Sequence, residues 1–590
     1  MDKDDRREVY ISDLRAAVNE KERLSPYPSK DKWECVPFET AEATGSFLIA
    51  SRESAPPPVT LDPHLSGWYK IYICLGEFCG WPNRVDIKLS GDEFETTVSP
   101  CRMAPYTMWT TAENVDESFW KCADMTGQTV TVSKPDTGIK YTSNVFWLRF
   151  VPMSESEIKA ATAEPKRRMF AHMDGDFHLY DVTKTPRDYC KPIYAMKQSD
   201  VGIICEEVIN DICDYTHPGD DFVYRSEVDS AREKASRALT KDRDKIYPEQ
   251  IKYAHACGME MFAGHRMQLS DFSFPFETPL FHVPFVTENG DKCCAARDGT
   301  SVGFLSYGYA EVRDFMIKNI LESAGFGFDG VLCIWTRGVH LMFEEPVARA
   351  FAEKFGGGID ISTLPEDDGR PVEIKSDIMT AFHRDLRRAL DDRAKRRGTK
   401  KMKVFVTGCF DVWSSKKEGI DIERFAREGL IDGVIQTKMK MIELTDGTTN
   451  EGGAVNVKKY AEKALSERTV ERISGSRMDL IAAGAGEYAR IAEKYGIAFY
   501  SENQWETYKK PEEYVAGAKE IYAAGGMGIS LWDCYPNRTN ILSEWAAESH
   551  FGDGEYVSKM SEDPGDYHRI IKVLSYNGRD VRFINPSWRG

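Results

Sequence analysis

The sequence has no excess of positive charge and no apolar run of membrane-spanning length. Its 590 residues include 77 lysines and arginines against 94 aspartates and glutamates, which gives a formal net charge of -17. Nucleic acids and anionic membranes bind clustered basic residues, so neither is expected as a partner. The first ten residues, MDKDDRREVY, are charged, and no signal-like apolar segment follows them. We therefore expect a cytoplasmic protein.

Cysteine is present, but not in the arrangements that build disulfide frameworks or zinc ribbons. The 14 cysteines are scattered without a CxxC pair, and those in apolar runs, such as Cys205 and Cys333, predict buried reduced thiols. The neighbours Cys293 and Cys294 suggest a metal or redox feature, but a packed loop is favoured because no second pair lies nearby. Phosphate loops and a GxSxG motif are also missing, which disfavours phosphoryl and acyl transfer. No cofactor is expected.

Length and pattern divide the chain into four segments, because 590 residues exceed one ordinary core. Residues 1–30 form a charged leader. Residues 31–155 contain short alternating runs such as GWYKIYICLG and TVTVSK, which are typical of an antiparallel β-sandwich. Residues 165–550 alternate strand and helix patterns, and residues 551–590 return to short strands. The last segment is predicted to be a small C-terminal β appendage on the barrel or the sandwich.

Eight apolar runs within residues 165–550 are separated by helix-length amphipathic stretches. Eight sequential parallel strands can close without leaving an edge, so we predict an α/β fold, a (β/α)8 TIM barrel. The predicted strands are Arg168–Asp174, Val201–Ile209, Met259–Arg266, Phe328–Arg337, Met402–Phe410, Asp432–Lys438, Ile497–Glu502 and Gly528–Asp533.

Carboxylates at the C-terminal ends of these strands are the first candidates for catalysis, because these ends face one mouth in a TIM barrel. Cleavage of a glycosidic bond needs one protonated carboxyl and one ionised carboxylate. We predict a glycoside hydrolase with Glu502 as nucleophile or base and Asp533 or Asp411 as general acid. The alternative for any one of these acids is that it caps the following helix.

The predicted substrate is a carbohydrate, since sugar ring faces stack on indoles while polar groups bind the hydroxyls. Strand two carries two carboxylates in mid-run, Glu206 and Glu207, of which Glu206 is chosen. The cations would suit an anionic sugar, although ion pairs with neighbouring acids are the simpler interpretation. The predicted substrate-binding residues are His172, Asp174, Glu206, His265, Arg266, Trp335, Arg337, Trp413, Lys438, Gln504, Trp505 and Trp532.

The stretch AHMDGDFH supplies a different hypothesis, because His172, Asp174, Asp176 and His178 occupy alternate positions. Alternate residues of a strand share one face, and imidazole with carboxylate can bind a divalent metal. A metal-dependent sugar lyase or isomerase that uses His172 and Asp174 therefore stays open. Hydrogen bonds from these two residues to sugar hydroxyls are favoured, and no metal is assigned.

Four phrases follow one another in the chain: FDGVLCIWTRG, EEPVARAFAEKFG, GIDIERFAREGLIDGVI and YSENQWETYKKPEEYVAGAKEIYAAGGMGISLWD. In this order they resemble glycoside hydrolase-like family ten, a group of TIM-barrel proteins, over residues 168–550. The resemblance implies a carbohydrate-active barrel. Such proteins tend to have an acid where this chain has Ile334, and only the nearby Arg337 is retained. A barrel that binds carbohydrate without hydrolysing it is therefore a second hypothesis.

The expected activity is exo-action on oligosaccharides or glycosides that have already been imported. The sugar, its linkage and the stereochemical course are not encoded in local sequence patterns. A homo-oligomer is compatible with the sequence.

Overall fold

The computed structural model describes residues 7–77, 83–101, 113–137, 140–173, 185–209, 227–269, 285, 288–335, 339–365, 368–437, 478–504, 510–535 and 541–581. No helix within these ranges combines the length and the apolar character needed to cross a membrane.

The N-terminal region consists of short strands. Some of them, such as Trp33–Thr40 and Val130–Ser133, alternate buried and more exposed residues, as expected for strands with one face toward a core. Their bounds are β1 Val9–Ile11, β2 Leu24–Ser25, β3 Trp33–Thr40, β4 Thr44–Ala50, β5 Val59–Leu61, β6 Trp68–Gly76, β7 Val85–Leu89, β8 Thr96–Val98, β9 Asn114–Asp124, β10 Val130–Ser133, β11 Ser143–Val145 and β12 Trp147–Pro152.

The following strands include the eight that close into the predicted barrel, together with one inserted hairpin, β16–β17. Their bounds are β13 Met169–Met173, β14 Val201–Ile209, β15 Glu260–Arg266, β16 Cys293–Ala295, β17 Ser301–Leu305, β18 Gly330–Ile334, β19 Lys403–Gly408, β20 Gly433–Gln436, β21 Ala498–Gln504 and β22 Ile529–Leu531. The barrel strands pair in parallel, and β22 returns to β13. The predicted (β/α)8 fold is confirmed.

Most of the described helices belong to the barrel and pack around its outside. Their bounds are α1 Leu14–Ala17, α2 Glu155–Ala161, α3 Lys191–Ala195, α4 Glu227–Ala256, α5 Ala310–Ser323, α6 Glu345–Phe355, α7 Gly369–Arg397, α8 Val412–Lys417, α9 Ile422–Arg427, α10 Met478–Tyr495, α11 Pro511–Ala523, α12 Leu542–Glu548 and α13 Gly554–Ser558.

The C-terminal segment contributes β23 (His568–Tyr576) and β24 (Arg579–Asp580) to the sandwich. β23 lies between β9 and β3 in the larger sheet, whose order is β1-β12-β6-β9-β23-β3-β4-β11. The smaller sheet has the order β5-β10-β7-β8. Apolar residues of both sheets form one buried cluster, so the predicted β-sandwich is present. Both ends of the described chain contribute strands to it.

The loop between β7 and β8 fixes the sandwich to the barrel. Phe94 packs edge-on against Tyr194 and Tyr253, with ring centroids 5.7 and 5.9 Å apart. The Tyr253 hydroxyl donates a hydrogen bond to Glu93 over 2.8 Å. On another side, Leu542 at the start of α12 is buried in the sandwich core. The two parts are therefore joined by apolar contacts as well as by polar ones.

The lower part of the barrel interior is filled by side chains. Phe170, Phe262, Phe405 and the partly buried Tyr500 belong to a cluster to which seven of the barrel strands contribute, together with Trp532 directly after β22. The rings fit because small residues lie opposite them: a methyl group at Gly433 would overlap the ring of Phe405. The barrel is thus a packed core at this level and open to polar side chains only above it.

Gly433→Ala is expected to lower the free energy of unfolding by about 1–3 kcal/mol, because the added methyl overpacks this interior. Urea unfolding measures the change. Gly357→Ala is the matched control, since a methyl there meets no atom within 4 Å. Equal stability of the two variants would contradict the described packing.

Candidate functional site

Five consecutive strands, in the order β21-β22-β13-β14-β15, bring side chains to the inside of the barrel at its C-terminal end. These side chains are Glu502 on β21, Trp532 directly after β22, His172 on β13, Glu207 on β14 and Arg266 on β15. We call these five residues the mouth cluster. Trp532 belongs to the apolar cluster inside the barrel. Each of the other four lies two or four positions from a member of that cluster on its own strand, and therefore lies on the same, inward face.

Glu207 is the centre of an ion network in the mouth cluster. Its side chain is fully buried, and its Oε1 lies 2.8 Å from His172 Nε2. Arg266 Nε lies 3.0 Å from Glu207 Oε2 and donates to Oε1 over 3.2 Å. A buried carboxylate is costly unless it is paired, so the guanidinium favours the ionised form of Glu207. The ion-pair interpretation of Arg266 is the one that the structure shows.

Gly264 provides space for the Glu207 side chain. A Cβ at position 264 would lie 3.0 Å from the sulfur of Cys205 and 3.3 Å from both Cα and Cγ of Glu207. The pairing of β14 with β15 is irregular between Glu207 and Ile209, directly at the end of the network. Bulges of this kind re-aim side chains and are frequent next to active sites.

His172 and Trp532 form a stack between the two glutamates. Their ring centroids lie 3.7 Å apart with an interplanar angle of 17°. The indole is almost fully buried, with 2% of its surface exposed. The stack fixes the plane of the imidazole while its Nε2 faces Glu207. Asp533 follows Trp532 with a φ of 51°, an uncommon backbone conformation for a residue other than glycine.

Glu502 occupies the other end of the mouth cluster. It is 1% exposed and lies on the same face of β21 as Ala498 and Tyr500, which pack against the interior core. Its neighbour Asn503 has the opposite orientation, because the Asn503 amide donates to the Tyr514 carbonyl of α11 over 2.9 Å. The pairing of β21 with β22 is also irregular, between Glu502 and Gln504. Both glutamates thus lie at irregular strand ends.

Three of the predicted substrate-binding residues lie on the outer faces of their strands. His265 Nε2 lies 2.8 Å from the Ser323 hydroxyl of α5. Trp335 is buried between strand and helices, with its ring 5.6 Å from that of Phe382 on α7. Glu206 shares its face with Ile204 and Val208, which belong to the core between barrel and helices. These three residues are not in the mouth cluster.

Asp411 and Trp413 lie beyond the end of β19. The Asp411 carboxylate caps α8, accepting a hydrogen bond from the Ser414 backbone over 2.6 Å and one from its hydroxyl over 3.1 Å. Asp411 is therefore the N-cap residue of α8, which is the alternative to a catalytic role that the sequence analysis left open. Trp413 is 54% exposed on the same helix, which leaves its indole accessible to a ligand.

Several predicted residues cannot be placed. Asp174, Arg337, Lys438 and Trp505 lie outside the described residues, as do Asp176 and His178 of the alternating motif, and so does the side chain of Gln504. The hypothesis of a metal at His172 and Asp174 therefore stays a prediction. Within the described ranges, the side chains that could together hold a metal are Cys101, Asp116 and His568, in the sandwich.

Glu207 is the one member of the mouth cluster that sequence reasoning did not select. A choice between Glu206 and Glu207 requires the face of the strand to be known. In VGIICEEVI both faces are apolar, as is typical of buried parallel strands. The signal that could have found Glu207 is its spacing of two and four residues from Cys205 and Ile203, which both lie in the interior core.

The thiols and a surface cavity at the opposite end of the barrel do not add to the site. Nine of the twelve described cysteines are buried, and the Cys293–Cys294 pair lies on the β16–β17 hairpin. A cavity of about 470 Å³ opens at the N-terminal end of the barrel, where Lys403, Asp432 and Ala498 line it. In TIM barrels this end serves stability, and active sites lie at the other end.

No protein-family model matches the chain, and no curated protein sequence does. Among solved structures, the glycoside hydrolase domain of PgaB (BpsB) from Bordetella bronchiseptica is 15% identical with a TM-score of 0.37, over 64% of this chain and 99% of that domain. The catalytic domain of β-amylase from Paenibacillus polymyxa is 10% identical with a TM-score of 0.38, over 66% and 98%. The glycoside hydrolase domain of PelA from Pseudomonas aeruginosa is 11% identical with a TM-score of 0.29, over 63% and 96%. These neighbours are barrels of glycoside hydrolases, but similarity this low assigns no activity to the chain. The resemblance to family ten stays a prediction.

Asp411→Ala is expected to lower the free energy of unfolding by about 1 kcal/mol, the usual effect of removing an N-cap side chain. Turnover of a sugar substrate should not change, because the carboxylate is occupied by the helix. Urea unfolding and a glycosidase assay on the same preparation test both statements. Lost turnover at unchanged stability would instead place Asp411 in the chemistry.

Two buried histidines near Trp335 predict acid sensitivity. Burial lowers the pKa of His340 to about 4 and that of His383 to about 3, whereas an unfolded histidine titrates near 6.5. The folded state thus binds fewer protons, so its stability is complete above pH 6.5 and decreases as the pH falls toward 4. Each histidine is expected to lower the free energy of unfolding by about 2 kcal/mol when the pH falls from 7 to 5.

Unfolding by urea at the two pH values measures this loss, with His383→Gln as the comparison. The variant has no titrating group at this position, so its stability should depend less on pH than that of the parent protein. The same pH dependence in both proteins would show that His383 is not responsible.

Proposed function

We propose that this protein is a glycoside hydrolase whose chemistry takes place at the mouth cluster. The observation that carries the proposal is the presence of two buried glutamates, Glu207 and Glu502, on the inward face at the same end of the barrel. A pair of carboxyl groups is what most glycoside hydrolases use. The His172–Trp532 stack lies on the two strands between them.

The surroundings of the glutamates suggest their roles. The guanidinium of Arg266 next to Glu207 favours the ionised form of this carboxyl, and an ionised carboxylate can attack the anomeric carbon or deprotonate a water molecule. Glu502 then donates the proton to the leaving oxygen, a role that burial favours by raising the stability of the neutral acid. The sequence analysis predicted that Glu502 is the nucleophile or base. In this proposal Glu207 takes that role, and Glu502 is the general acid. Asp533 lies next to the cluster as a further carboxylate.

The sugar would be held by aromatic and polar groups around this pair. The exposed indole of Trp413 offers a stacking surface for a pyranose ring at the same end of the barrel. Arg266 is already bound to Glu207, so a neutral sugar fits better than an anionic one. As part of the same proposal, the protein acts in the cytoplasm and removes sugars from one end of imported oligosaccharides or glycosides. Release of single sugars from one chain end, without intermediate products, would support exo-action.

The test compares Glu207→Gln, Glu502→Gln and Glu206→Gln on aryl glycosides and oligosaccharides. Both mouth-cluster variants are expected to lose about 10²–10⁴-fold in kcat on oligosaccharides. Glu502→Gln should lose less on aryl glycosides, because their leaving groups need no protonation, whereas Glu207→Gln should lose activity on both. Glu206→Gln is the matched control, since it changes the neighbouring carboxyl on the outer face of the same strand.

Full turnover in both mouth-cluster variants would refute the site. Loss of activity with a chelator, without a change in thermal unfolding, would favour the metal-dependent lyase or isomerase instead. Circular dichroism and thermal unfolding show whether each variant is folded.

A carbohydrate-binding barrel without hydrolysis is the second candidate. It is favoured by Ile334, a buried apolar residue of the interior core at the position where the family that this chain resembles tends to carry an acid. Saturable binding of oligosaccharides by the parent protein, without turnover of any substrate in the screen, would support this candidate.

A further inference from the structure

Three side chains, two from the N-terminal region and one from the C-terminal strand, meet in the sandwich, away from the mouth cluster. They are Cys101 after β8, Asp116 on β9 and His568 at the start of β23. His568 pairs in register with Ser118, two residues from Asp116, so its ring reaches diagonally across the strands. The His568 Nδ1 lies 3.1 Å from Asp116 Oδ1. The sulfur, nitrogen and oxygen atoms all lie within 4.8 Å of one another.

The charge of Asp116 sets this group apart from its surroundings. Asp116 is 1% exposed, and its carboxylate accepts hydrogen bonds from the Cys101 backbone over 2.7 Å and from the Ser118 hydroxyl over 3.0 Å. In the described part of the chain, no lysine or arginine forms an ion pair with it, and the single ionisable base beside it is His568.

The adjacent carboxylate, that of Glu117, is stabilised in the usual way, by ion pairs with basic side chains. Glu117, also buried, is paired with the guanidinium groups of Arg149 and Arg569 at 2.7 and 2.6 Å. Around Cys101, by contrast, the charges with the largest effect on the thiol are those of the acids Asp116, Glu544 and Glu77. The group is therefore a partly buried region of negative charge, centred on the buried Asp116, where a cation would be stabilised.

We propose that Cys101, Asp116 and His568 bind a zinc ion, with water as the fourth ligand. Thiolate, imidazole and carboxylate together match zinc, whereas magnesium and calcium prefer oxygen ligands alone. Zinc bonds of about 2.0–2.3 Å place tetrahedral ligand atoms roughly 3.5 Å apart. The ligand atoms lie within 4.8 Å of one another, so a contraction of at most about 1.3 Å completes the site.

The ion would hold the C-terminal strand β23 to the N-terminal part of the sandwich, close to a contact with the barrel helix α12. His568 begins β23, and Cys101 lies two residues after Ser99, which pairs with Ile541 at the start of α12. Zinc bound there links the C-terminal strand β23 to a part of the chain more than 400 residues earlier, and closing so long a loop is the arrangement in which a metal can stabilise a fold most effectively. The proposal is independent of any activity at the mouth cluster.

The test uses the full chain freed of metal by a chelator and dialysis. Zinc titration with elemental analysis is expected to give one ion per chain, and zinc should raise the midpoint of thermal unfolding. Cobalt in place of zinc should give the charge-transfer absorption of a thiolate ligand. Cys101→Ser and His568→Gln are each expected to weaken zinc binding by more than about 100-fold, beyond the effect of removing a residue that only supports a ligand.

Cys122→Ser is the matched control, because Cys122 lies on β9 but outside the group, and it should bind zinc like the parent protein. The proposal is wrong if the parent chain takes up no zinc, or if Cys101→Ser binds zinc unchanged. If His568→Gln does not fold, the cobalt spectrum of the parent protein and of Cys101→Ser decides the question.

Discussion

The closure of eight parallel strands imposes a period of two on every strand, and the candidate site depends on this constraint. Alternate residues face either the barrel interior or the helices, so two neighbours in sequence are separated by the full thickness of the strand. Glu206 and Glu207 illustrate the effect, because only Glu207 reaches His172 and Arg266. The composition of a strand end therefore says less about a site than the position of each residue relative to the interior core.

The interior itself is divided along the barrel axis. Aromatic rings such as Phe262 and Phe405 fill the lower level, supported by glycines that leave space for them. Above this level the ion network of Glu207 replaces apolar packing. Replacing a buried ion pair by apolar residues is often neutral or stabilising, so stability alone does not explain such a network. Its position at the C-terminal end, where TIM barrels hold their active sites, is consistent with a role in chemistry.

The fold could be predicted because each barrel strand is an apolar run followed by a helix, and this pattern is local in sequence. All eight predicted strands are present, with shifts of a few residues at their ends. The site could be predicted only in part, since the choice between faces depends on closure. His172, Arg266, Glu502 and Trp532 reach the mouth cluster, whereas His265 and Trp335 contact helices. Asp411 follows the local rule for helix caps, which sequence patterns cannot separate from a catalytic role.

The sandwich and the barrel depend on each other because the chain crosses between them twice. β23 follows the barrel in sequence but lies inside the larger sandwich sheet, between β9 and β3. Without β23, these two strands would lose their shared neighbour and expose unpaired backbone groups. Leu542 of α12 and Phe94 of the β7–β8 loop each place an apolar side chain against the other part. The sandwich therefore constrains the last helices of the barrel, which follow β22, and through them the strand that carries Trp532 to the mouth cluster.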